Sequence, residues 1–284
     1  MNPDDTDHIY NTVIQKIIDN EEQLPSLPSV TLKIRNALSN PHTEIDEIAK
    51  LVRLDPSLSA LLLKYAASPL YKRPVPPKTI ESVLSMIGLP ALNSLVMTHS
   101  IKSLFILKDP QLKKLFQLTW ERMMYKAAVC VFLAKKLGLR PAEQAMTKSL
   151  LTEIGTLVLL SAFSAEVAVP DEKTYIQLCR KHSKRLTVIT LSKWGMDKNL
   201  VKLSHYTGKW DFKYSEKMTL LDIINIAIYS TVQHQASKND LPNIQTVHSY
   251  SKLPKALKEL TEDNKLVLIE EKHAEIDGII GSIK

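Results

Sequence analysis

The chain has 284 residues, of which 44% are hydrophobic and 24% are charged, and its formal net charge is +7. This length allows one large domain or two smaller ones, each able to bury a core. Only 7 glycines occur, and alternating Val/Thr/Tyr runs are scarce, so a mostly helical protein is favoured over a β-rich one.

The cysteines and the N-terminus bear on the cellular compartment. Cys130 and Cys179 are too few for a disulfide framework, and their spacing is not that of a metal site. The acidic opening, Met1-Asn2-Pro3-Asp4-Asp5, has no feature of a secretory signal. No apolar run reaches the about 18 residues that span a bilayer. We therefore expect a cytoplasmic protein without a membrane partner.

Apolar residues recur at three- and four-residue spacing along most of the chain, which predicts helices. Before residue 110 these helices are short, because prolines and polar caps interrupt them. The predicted starts are Pro28, a capping box of Thr43 and Asp46, the pair Asp55-Pro56, Thr79 and Pro90, and the predicted stops are Asn40-Pro41 and Gly88. Residues 68–77 are predicted to form a proline-rich loop.

From Pro110 the pattern changes to a long helix that is predicted to end at Gly138, with Pro141 opening the next helix. Further helices are predicted at 171–182, 184–194, 197–206, 215–235 and 254–269, and residues 270–284 are expected to fray. The predicted fold class is therefore all-α, in two helical subdomains. We place an N-terminal helix at 1–23, the subdomains at 24–109 and 110–235, and a C-terminal helical extension at 236–284.

Positive charge is concentrated in the middle of the chain. Residues 102–148 contain ten Lys/Arg against three acidic residues, and the remainder is balanced, 27 against 27. Such a region can attract nucleic acid, a phosphorylated nucleotide or an acidic partner. The alternative is a set of solvated lysines on outer helix faces. Phe116 and Trp120 favour that alternative, because they follow the apolar stripe instead of forming a stacking platform.

Several ordered motifs together resemble the HD-related output domain (HDOD) family. They are Leu24-Pro25-Ser26-Leu27-Pro28, Asp55-Pro56-Ser57-Leu58-Ser59, Ser68-Pro69-Leu70-Tyr71, Ser82-Val83-Leu84-Ser85-Met86-Ile87-Gly88, Trp120, Leu137-Gly138-Leu139, Leu151-Thr152-Glu153-Ile154-Gly155 and Trp194-Gly195. The resemblance implies an all-helical fold whose second subdomain is a degenerate relative of HD phosphohydrolases. It also implies a role in bacterial signal transduction.

The resemblance also locates a metal site that this chain has lost. HD enzymes hold a divalent metal with a histidine, an adjacent His-Asp pair and a later aspartate. These positions align with Arg122, with Thr152 and Glu153, and by spacing with Asn225. His205 falls where related domains often carry paired histidines.

Three of the four ligand positions would then be non-ligands or poor ligands, since a divalent metal needs convergent carboxylates and imidazoles. Arg122 would also place a fixed cation at the site, and two unit charges about 4 Å apart repel by ~4 kcal/mol at an effective dielectric of 20. We therefore expect no metal, no cofactor and no catalytic residue. Arg122 is expected to pair with Glu153 in place of the metal, unless it points to solvent.

Other conspicuous residues are expected to be structural. His205 is interpreted as a surface or capping residue and His99 as a hydrogen-bonded packing residue. Trp120, Trp194 and Trp210 are expected to be core or inter-subdomain anchors, because a buried indole removes a large apolar area from water. The aromatic-basic segment 209–214 is interpreted as a packed loop or as a surface for a partner.

Three functional hypotheses follow. The leading one is a non-catalytic signalling module that binds a protein partner or a small phosphorylated ligand. The second is a metal-dependent phosphohydrolase with substitute ligands, which would be drawn from Glu153, His205, Asp222 and Glu121. The third is an RNA- or nucleotide-binding protein that uses the basic region 102–148, and its binding would weaken steeply with rising salt.

Overall fold

The structure is a computed structural model that describes residues 3–20, 24–67, 77–105, 107–139, 142–163, 169–233 and 241–282. These residues form helices, turns and one isolated antiparallel bridge between Leu260 and Leu266, with no strand among them. The all-α prediction is confirmed. The predicted motif Ser68-Pro69-Leu70-Tyr71 and the predicted helix start at Pro141 lie outside the described residues.

The helices are numbered in chain order. The first seven are α1 (Pro3–Asp19), α2 (Ser29–Ser39), α3 (Ile45–Arg53), α4 (Pro56–Ala66), α5 (Ile80–Ser103), α6 (Pro110–Lys136) and α7 (Ala142–Leu151). The remaining seven are α8 (Ile154–Ala162), α9 (Glu172–Lys193), α10 (Lys198–Tyr206), α11 (Leu220–Gln233), α12 (His248–Ser251), α13 (Val267–Glu270) and α14 (His273–Gly281).

The chain divides into two compact units, each built from separate stretches. Unit 1 contains Met1–Ser26, Ile101–Met123 and Leu150–Thr207. Unit 2 contains Leu27–Ser100, Met124–Ser149 and Gly208–Lys284. Helix α6 belongs to both units, since its first half lies in unit 1 and its second half in unit 2. The linear division into 1–23, 24–109, 110–235 and 236–284 stays a prediction.

Unit 1 is built around α8, which is buried along almost its whole length and packs against α9 and α1. The aromatic ring of Tyr10 meets the edge of Phe163 with centroids 5.3 Å apart. The indole Nε1 of Trp194 donates to the carbonyl oxygen of Pro25 at 2.7 Å, and Lys193 Nζ donates to that of Leu24 at 3.0 Å. Two motifs that are far apart in sequence are therefore joined in this unit.

Unit 2 begins with short helices whose boundaries follow local chemistry. The Asp55 carboxylate accepts hydrogen bonds from the amides of Ser57 and Leu58, so it caps α4 as predicted. Gly88 has φ +79° and kinks α5 ahead of Pro90. Gly138 has φ +67° just beyond the end of α6. Positive φ is a conformation that glycine adopts at little cost, which explains both predicted stops.

Two predicted helix boundaries are wrong. Thr43 is not the cap of α3, because Glu44 occupies the N-cap position and makes no side-chain capping bond. The predicted break near Ser183 is absent, and α9 runs without interruption from Glu172 to Lys193. The buried side of α9 continues through this polar stretch, from Leu178 to Leu186, and tertiary packing overrides the local polarity.

The C-terminal part also differs from its prediction. The predicted helix 215–235 begins later, at Leu220, and the predicted helix 254–269 is instead a 3₁₀ turn, the Leu260–Leu266 bridge and the short α13. Asn264, with φ +58°, makes the turn that brings the bridge residues together. The prediction that residues 270–284 fray is wrong for residues 273–281, which form α14 and bury Ile276 and Ile279.

Two described stretches, Ile80–Ser103 and Gln144–Ala162, are long and apolar enough to cross a membrane by length and composition. The prediction that no apolar stretch is long enough to span a bilayer is therefore wrong by this criterion. Of the most apolar 18-residue window, 50% in the first stretch and 83% in the second are buried inside the protein. Core helices meet the same length and composition criterion. The absence of a membrane partner stays a prediction.

Candidate functional site

Arg122 and Glu153 meet in unit 1. Helix α6 carries Arg122, and Glu153 lies in the two-residue turn between the end of α7 and the start of α8. Arg122 Nη1 lies 3.5 Å from Glu153 Oε1, and the two side chains are 23% and 16% exposed. This separation exceeds the about 2.8 Å of a short charge-assisted hydrogen bond. The contact is therefore an ion pair, as expected, and Arg122 does not point away to solvent.

The turn that presents Glu153 is held by the start of α8. The carbonyl oxygen of Glu153 accepts hydrogen bonds from the amide of Thr156 at 2.9 Å and from its hydroxyl at 2.7 Å. Thr152 is buried beside Glu153. The position that aligns with the His-Asp pair of HD enzymes is therefore a turn between two helices, held by the amide and the hydroxyl of Thr156.

The charge of Glu153 raises the pKa of Arg122, while burial lowers it, and the net shift is upward. The guanidinium is therefore a permanent cation at this corner. Its first electrostatic partner is the carboxylate that would have to serve as a metal ligand. A divalent ion would compete with Arg122 for the same oxygens and would be repelled by it.

Tyr175 and Cys179, one turn apart on α9, adjoin this pair and were not identified from the sequence. The Tyr175 hydroxyl donates to the carbonyl of Thr156 at 2.8 Å and accepts from the Thr119 hydroxyl at 3.2 Å. Burial raises the pKa of Tyr175, and it raises that of Cys179 to about 12. Both groups are therefore neutral near pH 7, and Cys179 is not an activated nucleophile. The i, i+4 spacing of Tyr175 and Cys179 could be read from the sequence. The sequence did not show that they lie beside Arg122 and Glu153.

The remaining aligned position, Asn225, lies in unit 2 on α11, where it is buried. Its side-chain oxygen accepts a hydrogen bond from the amide of Gly208 at 2.8 Å. Gly208 has φ +75°, so Asn225 stabilises the turn that follows α10. This is a structural role that an aspartate at the same place would also be able to fill.

Asp222, one turn before Asn225, forms a buried ion pair with Lys252. Lys252 Nζ lies 3.0 Å from each carboxylate oxygen, and both side chains are almost fully buried. The Ser249 hydroxyl donates to Oδ1, and the amide and hydroxyl of Thr219 donate to Oδ2. The carboxylate is therefore saturated by protein donors. It belongs to a different compact unit from Glu153.

The other substitute ligands lie at the surface. His205 is exposed in the last turn of α10, with its ring edge-on to Tyr206 at 5.1 Å. Glu121 is exposed and accepts from Gln117 at 3.2 Å. Among the described residues, no group of three or more His, Cys, Asp or Glu is placed to hold a metal ion. One carboxylate beside a guanidinium does not fit the metal of HD enzymes.

The structural interpretations of His99, Trp120 and Trp194 agree with the geometry. His99 Nε2 lies 3.1 Å from Asp55 Oδ2, next to the cap of α4. Trp120 and Trp194 are buried. Trp210 is half-buried against the edge of Tyr229 at 5.7 Å, as in a packed loop.

The basic region 102–148 is not one solvent-facing surface. Lys126 is buried, and its Nζ donates to the carbonyl of Ser149 at 2.7 Å. The rings of Phe116 and Trp120 stack on each other at 6.2 Å, and Trp120 is buried. The exposed lysines of this region, such as Lys113 and Lys114, lie on the outer side of α6. This arrangement agrees with the solvated-lysine alternative.

An all-helical fold with a buried helix that starts just after Thr152 and Glu153, which align with the His-Asp pair, is the fold of an HD-related domain. The family model described as HDOD domain matches residues 24–209, which is more than half of the chain. The chain belongs to the HDOD family. No curated protein matches it.

Solved structures share the fold at low sequence identity. A protein of Shewanella amazonensis SB2B named "Putative metal-dependent phosphohydrolase" is 20% identical, with TM-score 0.74, over 99% of this chain and 100% of its own. An HDOD domain protein of unknown function from Geobacter sulfurreducens is 18% identical, with TM-score 0.63, over 96% of each chain. A protein of Marinobacter aquaeolei VT8 named "Putative signal transduction protein" is 16% identical, with TM-score 0.59, over 96% of this chain and 65% of its own.

Proposed function

We propose that this protein is a non-catalytic bacterial signal-transduction module, located in the cytoplasm, that binds a protein partner or a small phosphorylated ligand. The observation that carries the proposal is the ion pair between Arg122 and Glu153 at the former metal position, 3.5 Å apart. Within this pair Arg122 supplies a positive charge beside Glu153, where a metal would have supplied it. The pair supplies no site for an activated water.

The signalling part of the proposal is supported by membership of the HDOD family and by the name of the Marinobacter relative. The ligand part is supported by the chemistry of Arg122. A guanidinium has five N–H donors, and the side chain of Arg122 keeps 23% of its surface exposed. Outer donors of this group suit an anionic oxygen, such as that of a phosphate or of an acidic side chain.

The first experiment tests catalysis by metal analysis and by assay with a phosphodiester such as bis(p-nitrophenyl) phosphate plus Mn²⁺, Fe²⁺ or Zn²⁺. The wild-type protein, purified without added metal, should contain no stoichiometric metal and release no p-nitrophenol. The control is the variant Arg122→His/Thr152→His/Glu153→Asp, which restores ligands at three positions and should gain metal-dependent thermal stabilisation. Stoichiometric metal with turnover in the wild type contradicts the proposal and favours the phosphohydrolase alternative.

The second experiment tests binding through Arg122. Thermal shift with mono- and cyclic nucleotides, together with quantitative cross-linking in the native cell, should reveal one ligand or partner that stabilises the wild type. Arg122→Ala should lose this response. Arg53→Ala, which removes an exposed arginine that pairs with Glu81, should keep it. Equal responses in both variants contradict the role of Arg122.

A further inference from the structure

A second positively charged region lies outside residues 102–148. Between Lys173 and Thr207 the chain has eight Lys/Arg and one acidic residue, Asp197, an excess of seven. That excess equals the formal net charge of the whole chain, +7. The basic residues are Lys173, Arg180, Lys181, Lys184, Arg185, Lys193, Lys198 and Lys202. All of them lie in α9 and α10, within unit 1.

Helix α9 presents most of these charges on one face. Lys173, Arg180, Lys181, Lys184 and Arg185 are all exposed, while Tyr175, Leu186 and Thr190 are buried on the opposite face. At 3.6 residues per turn these five cations fall within one broad stripe. The stripe is about 18 Å long, from a rise of about 1.5 Å per residue.

Helix α10 adds a second row beside this stripe. Lys198, Lys202 and His205 are spaced i, i+4 and i+7, and all three are exposed. Helix α10 packs against α9, and Lys184 Nζ donates to the carbonyl of Thr207 at 2.8 Å, just past the end of α10. The turn that carries His205 is therefore next to the basic stretch of α9.

The acidic residues of α9 and α10 and of their N-caps lie at the helix N-termini. Asp171 and Asp197 cap the N-termini of α9 and α10 by accepting backbone amides, and Glu172 lies in the first turn of α9. The positive field reaches His182 on the flank of α9. Burial lowers the pKa of His182, and the charges of Lys181 and Arg185 lower it further.

The composition of the face indicates its partner. Among the described residues of α9 and α10, Ile176 is the single large hydrophobic side chain that is exposed. Protein–protein interfaces have an apolar, aromatic core and are depleted of lysine. Membrane-surface helices need an apolar face to insert. Nucleic-acid interfaces are more polar and much more positive, which is the composition found here.

The side chains of this face also indicate whether the nucleic acid is double-stranded or single-stranded. Proteins that hold single strands stack bases on exposed aromatic side chains. On α9 Tyr175 is buried, and on α10 Tyr206 is half-buried against His205. We infer that the exposed basic faces of α9 and α10 bind the phosphate backbone of a nucleic-acid duplex without reading its base sequence. This binding surface is independent of the Arg122–Glu153 pair and of the ligand proposed for it.

The test is fluorescence anisotropy of the full chain with labelled 20-base-pair duplexes of DNA and of RNA, over a series of salt concentrations. The wild type should bind in the micromolar range at low salt, and the logarithm of its affinity should fall linearly with that of the salt concentration. Arg180→Gln/Lys181→Gln/Arg185→Gln should weaken binding about tenfold or more. The salt dependence of the affinity should become shallower, by the amount expected for the loss of roughly three phosphate contacts. The two duplexes show whether DNA or RNA is preferred.

The matched control removes the same three charges elsewhere. Lys102→Gln/Lys113→Gln/Lys114→Gln changes exposed lysines of α5 and α6 and should keep wild-type affinity. Both triple variants should nearly keep the wild-type melting temperature, because the side chains are exposed and the Lys181 Nζ bond to Asn11 Oδ1, at 3.0 Å, is a surface contact. Equal losses in the two variants would show a net-charge effect and overturn the inference. Absence of duplex binding at low salt, tighter binding to single strands, or binding to phosphatidylserine vesicles instead of nucleic acid would also overturn it.

Discussion

The backbone amide of Gly155 donates a hydrogen bond to the hydroxyl of Thr187 at 2.9 Å, which brings the start of α8 against the middle of α9. A Cβ on Gly155 would lie 1.9 Å from the carbonyl oxygen of Ser183 and 2.6 Å from the amide nitrogen of Thr187. These are backbone atoms that cannot rotate away. The glycine that follows the former His-Asp pair is therefore required by the close approach of two helices.

Gly155→Ala should destabilise the protein severely, because α8 and α9 must separate to accommodate a methyl group. We expect a loss at or above the upper end of the about 1–3 kcal/mol typical of overpacked cores. Chemical denaturation measures it. Gly278→Ala is the matched control, since it lies in α14 with no atom within 4 Å of its added Cβ. That variant should be neutral or more stable by up to about 1 kcal/mol. Equal stability of the two variants would contradict the packing argument.

The Arg122–Glu153 pair should stabilise the fold without any metal. Glu153→Gln and Arg122→Ala should each cost about 1–2 kcal/mol, a figure discounted because both side chains keep some exposure. A double-mutant cycle measures the coupling, and EDTA or added Mn²⁺ should leave it unchanged. The exposed pair of Arg53 and Glu81 is the control, and its loss should cost less than about 1 kcal/mol. Unchanged melting of both variants would show that the pair has no structural role.

The buried pair of Asp222 and Lys252 should be the more sensitive ion pair. Lys252→Met leaves a carboxylate that is 2% exposed without its cation, and such losses cost about 3–5 kcal/mol. The double variant Asp222→Asn/Lys252→Met should recover much of this loss, since it buries no unpaired charge. Lys265→Met is the control, because its partner Glu270 remains 23% exposed. Equal losses for Lys252→Met and Lys265→Met would refute the argument.

Stability should decline at alkaline pH, in part through Cys179. Burial raises the pKa of this thiol from 9.0 to about 12 in the folded protein. The unfolded chain therefore releases the proton first, and the contribution to stability is complete below pH 9 and is lost between about pH 9 and 12. Cys179→Ser, measured by urea denaturation across this range, should lose stability less steeply than the wild type, by up to one proton. Parallel curves for the two proteins would contradict the shift.

Local signals predicted much of the secondary structure. Asp55-Pro56, Gly88 and Gly138 act through atoms within a few residues, so the sequence was sufficient to locate the cap and the two stops that they form. The capping box at Thr43 failed because Glu44 took the N-cap position. The break in α9 failed for another reason: a polar stretch of helix remains helical when its opposite face is buried.

The candidate site was predictable only as far as motif alignment reached. The alignment brought Arg122 and Glu153 together although 30 positions separate them in the chain. It did not reveal Tyr175 and Cys179, because their approach depends on how α9 packs in unit 1. The even balance of charge outside 102–148 also concealed the basic rows of α9 and α10. The net charge of a long stretch of sequence does not show where its individual charges lie.

The sequence by itself determined that this chain is helical, where several of its helices begin and end, and that the His-Asp pair is absent. These properties depend on residue type and on spacing within a few turns. The tertiary structure decided which distant groups meet: Glu153 with Arg122, Asp222 with Lys252, and Gly155 with Thr187. The physical reason is that ion pairing, burial and steric fit fall off within a few ångströms, so they depend on positions in space that chain order does not specify.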